Sequence, residues 1–440
     1  MGAWVLLLGL QLLPVPSWLA SALQFDTAGR QTPPHAWTTL SVDPYSTRLY
    51  LLKAIVLFAF YWLVLRLTCT AKRIETLAKV IVWCGCIQAV LGIALFALNA
   101  RYSIFFVKVQ HSSAAGTYVN HNHYAGYLEM ALAVGIGLMM AKLEDRRARN
   151  WKQWVRDWLA VLISEKARLR IMLLIMVVSL IASRSRMGNA AFFFSLLIAG
   201  GIAIALSKRA PRAVVLFIAS LVVLDIVIIG SVVGLENVMR RIEQTRLLNV
   251  QSDAQRQEQR DAQVTDGAPG IAASRTARAH ETVERQETLE QRTEAARAAV
   301  TVVRSFPVFG TGGGTFHIAF MPFRPPELRG YFDHVHNDFV EVAAETGLIG
   351  LVLLAFIVTH SAFRAVRILL MRHDPLARGM AFAALMGIIA LMIHSAVDFN
   401  LQIPANAMLF LVIVALPYLV GSEGRRRAVK TRVSEAKQLT

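Results

Sequence analysis

Apolar residues gather into runs of roughly twenty, at about 3–23, 49–66, 78–99, 123–141, 170–183, 189–207, 213–235, 347–363, 379–398 and 404–421. A helix of about twenty such residues crosses roughly 30 Å of hydrocarbon, so the pattern predicts an all-α polytopic membrane protein with about ten transmembrane helices. Between Ser183 and Asn189 so little chain remains that two runs must form a helical hairpin. One long polar connection, 236–346, interrupts the series. Its stretch 240–300 balances ten arginines against ten acids, the composition of a solvated helix or a partly disordered insertion. Asp266-Gly267-Ala268-Pro269-Gly270 predicts a break into two helical pieces there. The chain is thus divided into helices 1–7 over 1–235, a long helical loop over 236–346, helices 8–10 over 347–421 and a basic tail over 422–440. The first run ends in Ala20-Ser21-Ala22, which resembles a signal-peptidase site. No Lys or Arg precedes it, so an uncleaved first span is expected.

Composition narrows the class. The chain is 55% hydrophobic and only 17% charged, with a mean hydropathy of +0.48, where soluble domains carry about a quarter charged residues. A soluble enzyme, a disulfide scaffold and a disordered protein are excluded. Cys69, Cys84 and Cys86 lie in or beside apolar runs, and three make no framework, so they read as packing residues.

The net charge of +17 is a topology signal. Five alternate segments (66–79, 142–170, 207–212, 364–378 and the tail) hold 26 of the 46 lysines and arginines. The short connections between them hold only Arg30, Arg48, Arg101, Lys108, Arg184 and Arg186. The positive-inside bias then places both termini and the basic loops in the cytoplasm, with 236–346 on the outer side. Membrane lipids, through their anionic headgroups, are the expected partner of this charge; nucleic acid is not.

Candidate chemistry clusters on the outer face. Asp333-His334-Val335-His336-Asn337-Asp338-Phe339, followed by Glu341 and Glu345, sits where the long loop re-enters the membrane. Ionisable residues at that boundary are expensive unless paired or wetted, so a functional site is the default, with headgroup-level caps as the plain alternative for Asp333 and His334. His-x-His beside carboxylates can bind zinc, but no third ligand stands at a diagnostic spacing, and no metal is expected. Upstream, Gly310-Thr311-Gly312-Gly313-Gly314-Thr315 is either a tight turn or a backbone cradle for phosphate, and it lacks the Lys of a nucleotide loop. Arg292, Arg297 and Arg304 precede it and can aim guanidinium forks at the same place. Three more patches are Asn120-His121-Asn122-His123-Tyr124, Ser183-Arg184-Ser185-Arg186, and the group His394, Asp398, Asn400, Gln402 and Asn406. The paired arginines run against the positive-inside bias, which favours function for them. The last group is as well explained by capping as by substrate contact.

His336-Asn337, nine residues, Gly347, two residues and Gly350 fit the pattern of the O-antigen ligase family. The sequence resembles that family and its wider superfamily, which includes O-antigen and exopolysaccharide polymerases and protein O-oligosaccharyltransferases. The stretch at 120–127, the turn at 183–186, the run from Arg292 through the glycines and the stretch at 394–407 are similar too. The resemblance implies a GT-C-like inner-membrane glycosyltransferase whose site faces the periplasm. Its donor would be a glycan on a polyprenyl (undecaprenyl) diphosphate, and its acceptor a sugar hydroxyl, on lipid A-core for a ligase or on another repeat unit for a polymerase. The ligase is the first expectation and the polymerase the alternative. By this resemblance His336 is the essential histidine, with Arg292 and Arg186 as catalytic cations. Arg184, Arg304, His334, Asn337, Asn120, His123, Tyr124 and Asp398 are the expected substrate contacts. Neither metal nor ATP nor another cofactor is implied.

Elementary chemistry agrees with that expectation. Breaking a sugar–diphosphate bond builds negative charge on the leaving group, which arginine stabilises bidentately. The acceptor hydroxyl needs a base, and histidine supplies one near neutrality. A transporter would place ionisable residues near the midplane; the main candidates, Lys53 and Glu129, are both expected near span ends, against that reading. A scaffold would have no need of arginines and histidines gathered on one face.

Overall fold

The computed structural model describes residues 1–23, 37–100, 113–142, 165–206, 289–326, 328 and 333–438. The seventh expected span at 213–235 and the insertion from 240 to 288 lie outside these residues. In chain order the elements are α1 (Gly2–Gln11), β1 (Pro14–Pro16), α2 (Ser17–Leu23), β2 (Trp37–Thr39), α3 (Pro44–Leu67), α4 (Ala71–Ala97) and α5 (His121–Lys142). Then follow α6 (Glu165–Ala182), α7 (Arg186–Ala205), α8 (Leu289–Ser305), α9 (Phe316–Ala319), α10 (Asp338–Met371), α11 (Pro375–Ser395) and α12 (Pro404–Gln438).

Seven of the described helices are long and apolar enough to cross a membrane: α3, α4, α5, α7, α10, α11 and the Pro404–Ser422 part of α12. The chain is an all-α polytopic membrane protein. Helix α6 is 18 residues long, but Lys166, Arg168 and Arg170 crowd its first turns. The first apolar run is a correction to the expectation. It is not one span, because Pro14 and Pro16 lack the amide donors a helix needs and fix their own φ. The chain there instead pairs antiparallel with the second strand, Val15 opposite Thr38.

Capping side chains set where the helices begin. Asp43 accepts from the amides of Tyr45 and Ser46 with Pro44 in the first turn, Thr70 accepts from Arg73, and Asn337 accepts from Phe339 and Val340. Each satisfies amides that a helix start leaves open.

Helix α5 is buried nearly all round and packs most extensively on α11. Gly137 and Gly379 face each other so closely that a Cβ on either would run into the other's carbonyl oxygen. Small residues allow such backbone approach where lipid gives no hydrophobic drive between helices. Helix α10 is interrupted at Gly347, whose φ is +66°. The glycine-rich run docks onto this break: Thr311 N–H donates to Ala344 O at 2.8 Å, Gly312 to Glu345 O at 2.9 Å, and Leu348 to Pro307 O at 2.8 Å. Beside it a small apolar core of Ala299, Val302, Phe306, Phe316, Phe320 and Ala344 ties α8 and α9 to α10.

Candidate active site

Three segments meet at one end of the bundle: the first turn of α5, the loop before α10, and the connection between α11 and α12. Asn120 starts the first segment, its side-chain oxygen accepting from Asn122 N–H at 2.8 Å. His123 follows, nearly buried. The second segment carries His334 and His336, and the third carries Asp398 and Phe399.

Asp398 is the hub of charge. Its Oδ1 lies 3.4 Å from His123 Nε2 and 3.4 Å from His336 Nδ1, and it accepts from Phe399 N–H at 2.9 Å. Both imidazole contacts are at the long end for a hydrogen bond. Burial by itself pushes the carboxyl upward. Bonding to the two histidines outweighs it and holds Asp398 well below the usual carboxylate range. It is a buried anion bracketed by two rings.

Phe399 is the hub of packing. His334 stacks on its ring at 4.4 Å between centroids, and His123 and His336 meet it edge to face at 4.5 and 4.8 Å. Glu341 grips the loop from below, with its Oε1 2.6 Å from His334 Nδ1 and its Oε2 accepting from Val335 N–H at 3.1 Å. His334 is therefore anchored to Glu341 rather than serving as a headgroup cap.

His336 has a φ of +53° and Arg184 one of +56°. With Asn99 they are the non-glycine residues in the left-handed region among those described. Such backbone costs about 1–3 kcal/mol and gathers at functional sites. Two of these three are residues singled out by sequence.

Other expected site residues land variously. Asn337 and Asp338 bond to the neighbouring connection. Asn337 donates to Ala396 O at 2.8 Å and Asp338 accepts from Leu401 N–H at 3.0 Å, so both clamp the α11–α12 connection. Asp333 is exposed, and the carboxylate beside His336 is Asp398. Tyr124 is fully buried, its hydroxyl bonded to Ser179 and donating to Gln88 O, which ties α5 to α4 and α6. Asn406 donates to His123 O and to Asn400 Oδ1, each at 2.9 Å, and Lys53 donates to Gln402 O at 2.8 Å. That group is chiefly a brace.

Arg184 and Arg186 are exposed on a stiff turn. Ser185 caps α7 through Gly188 N–H at 3.2 Å, and Asn189 donates to Ser185 O at 2.7 Å. A Cβ on Gly188 would touch Ala125 and His394, so this turn packs on the starts and ends of the helices that carry the histidines. Arg304 is exposed at the end of α8. Arg292 lies in the first turn of α8, and its side chain falls outside the described residues.

The glycine run does not offer a phosphate cradle. Its amides are spent internally: besides Thr311 and Gly312, Gly313 donates to Gln11 Oε1 at 3.1 Å and Phe316 to the Glu345 carboxylate at 3.2 Å. Among the described residues no group of three or more His, Cys, Asp and Glu is arranged to hold a metal ion.

Sequence reasoning missed two features. One is Phe399, an ordinary apolar letter. The other is the pairing of His394 Nδ1 with Glu129 Oε1 at 3.1 Å, both side chains wholly buried between α5 and α11.

Residues 171–355 match the family model described as O-antigen ligase. No curated protein matches the chain. The matched region contains the Arg184–Arg186 turn, α8, the glycine run and His336 through Gly350, while His123 and Asp398 flank it on either side. Over residues 171–355, this multi-pass membrane protein is similar to the O-antigen ligase family.

Proposed function

We propose that the protein is a metal-independent glycosyltransferase of the bacterial inner membrane, of the O-antigen ligase type. It transfers a glycan from a polyprenyl diphosphate carrier to an acceptor sugar hydroxyl at the periplasmic face. The observation that carries this reading is the His336–Asp398 pair, within a chain similar over residues 171–355 to the O-antigen ligase family.

With Nδ1–H directed to Asp398, Nε2 of His336 is the atom that takes the acceptor's proton. The acceptor oxygen bonds to the anomeric carbon as the carbon–oxygen bond to the diphosphate breaks. Asp398 stabilises the imidazolium that results. Arg184 and Arg186, with Arg292 and Arg304, neutralise the departing diphosphate. An apolar cavity of about 110 Å³, lined by Trp4, Tyr50, Leu57, Leu354 and Phe410, suits a prenyl chain and reaches Gln402, close to Asp398 in sequence.

Deleting the gene and analysing surface glycans tests the reading. Short capped lipopolysaccharide with accumulated lipid-linked polymer indicates the ligase. Single repeat units remaining on the carrier indicate a polymerase of the same superfamily instead.

Asp398→Asn removes the negative charge that favours the imidazolium. The pKa of His336 then falls, and the acid limb of the kcat/KM profile should move to lower pH. An unmoved limb with normal folding would remove Asp398 from the mechanism.

Arg184→Lys and Arg186→Lys should recover only part of the activity lost in the alanine variants, because a point charge does not reproduce the planar fork. Full activity in the alanine variants of Arg184, Arg186 and Arg292, at normal protein level, ends this assignment.

Orientation is checked by labelling. A cysteine introduced near residue 270 should react with an impermeant reagent from outside, and one near 150 should not. The opposite pattern would put the histidine cluster on the wrong side for this reaction.

A further inference from the structure

A second charged site lies at the far end of the bundle. From His123 to Lys142 helix α5 rises about 28 Å, close to the thickness of a bilayer's hydrocarbon. At that end α4, α5 and α6 enclose a cavity of about 240 Å³. Each helix contributes one cation to its lining: Lys79 from α4, Lys142 from α5 and Arg168 from α6.

Within the same turn or the next, each helix contributes apolar surface as well. Val82 and Trp83 follow Lys79, Leu138 precedes Lys142, and Leu169 and Met172 follow Arg168. Val82, Leu138, Leu169 and Met172 are buried, and Trp83 is 56% exposed. Glu75 fixes the spacing of two cations, its Oε1 standing 2.9 Å from Lys79 Nζ and 3.0 Å from Lys142 Nζ. Among the described residues, three cations line this cavity, two of them bridged by Glu75, and they lie at headgroup depth.

We propose that this cavity binds the phosphate of an anionic phospholipid from the leaflet opposite the histidine cluster. A cationic rim over an apolar floor matches an amphiphile better than a free anion. The phosphate takes the rim, the first methylenes of the acyl chains take the floor, and Trp83 lies at the membrane–water interface where amphipathic rings settle. The shared carboxylate oxygen holds the two lysines side by side rather than letting each snorkel separately. This site stands independently of the transferase reading.

Native mass spectrometry of the purified full chain, with phosphatidylglycerol and phosphatidylcholine supplied in detergent, provides the test. Phosphatidylglycerol should be retained in preference, and Arg168→Gln should weaken its retention about five-fold, the effect of one cation near a lipid phosphate. Lys142→Ala with Arg168→Gln should weaken it roughly twenty-five-fold on the same scale. If the double variant does not fold, Arg168→Gln alone decides, because Arg168 is exposed. Excess inorganic phosphate should not displace the lipid. Equal retention of the two lipids, unchanged retention in Arg168→Gln, or displacement by inorganic phosphate would each overturn the proposal.

Discussion

His336→Ala should lower glycan transfer about 10²–10⁴-fold, the usual contribution of a positioned general base. Donor binding should survive, since the proposed donor contacts are the guanidinium groups and the apolar cavity, not His336. His334→Ala should do less. Its ring is tied to Glu341 and stacked on Phe399, so its loss loosens the platform without removing the base. The assay uses purified protein, a synthetic polyprenyl-diphosphate glycan and a sugar acceptor, with EDTA throughout. Retained turnover in His336→Ala, or abolition of wild-type turnover by EDTA, would falsify the general-base chemistry.

Gly347→Ala should destabilise the fold by roughly 2–6 kcal/mol. Backbone at φ +66° and ψ −172° is populated almost only by glycine and costs another residue about 1–3 kcal/mol, and forcing extra volume into a packed site adds about 1–3. The φ of +66° sets the first contribution, and the Val308 carbonyl, directly in the path of a Cβ, sets the second. The break cannot simply heal into regular helix, because the amides of Thr311, Gly312 and Leu348 bond to this stretch from the glycine-rich run. Gly201→Ala is the matched control: no atom lies within 4 Å of where its Cβ would stand, and a helix interior prefers alanine. Thermal melting in detergent should separate the two variants clearly. Equal melting temperatures would show that the dock onto α10 is not what holds the loop.

Helices were legible wherever a long apolar run could be buried in lipid or protein without an internal conflict. The conflict at Pro14 and Pro16 was visible as letters but was overridden by the count of apolar residues around them. The motif around His336 was legible because its residues are near neighbours in sequence and resemble a known pattern. Its pairing with Asp398 was not. Asp398 lies 62 positions away, and Glu129 lies 265 from His394, so these pairings arise only when α5, α10 and α11 pack. Phe399 left no trace, because an aromatic beside a membrane span is ordinary. The glycine run was correctly seen as backbone-driven, but only the fold reveals that its amides are consumed by α10 and Gln11.

The three imidazoles around one phenyl ring also make the site visible to magnetic resonance. A benzene ring current alters the local field at protons 4–5 Å away, and all three centroid separations fall in that range. Of the eleven histidines in the chain, His123, His334 and His336 should therefore resonate apart from the rest when histidine is isotopically labelled. Phe399→Leu should return all three toward ordinary positions together. Any substrate that shifts the connection carrying Asp398 and Phe399 would move the same three signals, giving a spectroscopic count of bound donor that does not depend on turnover.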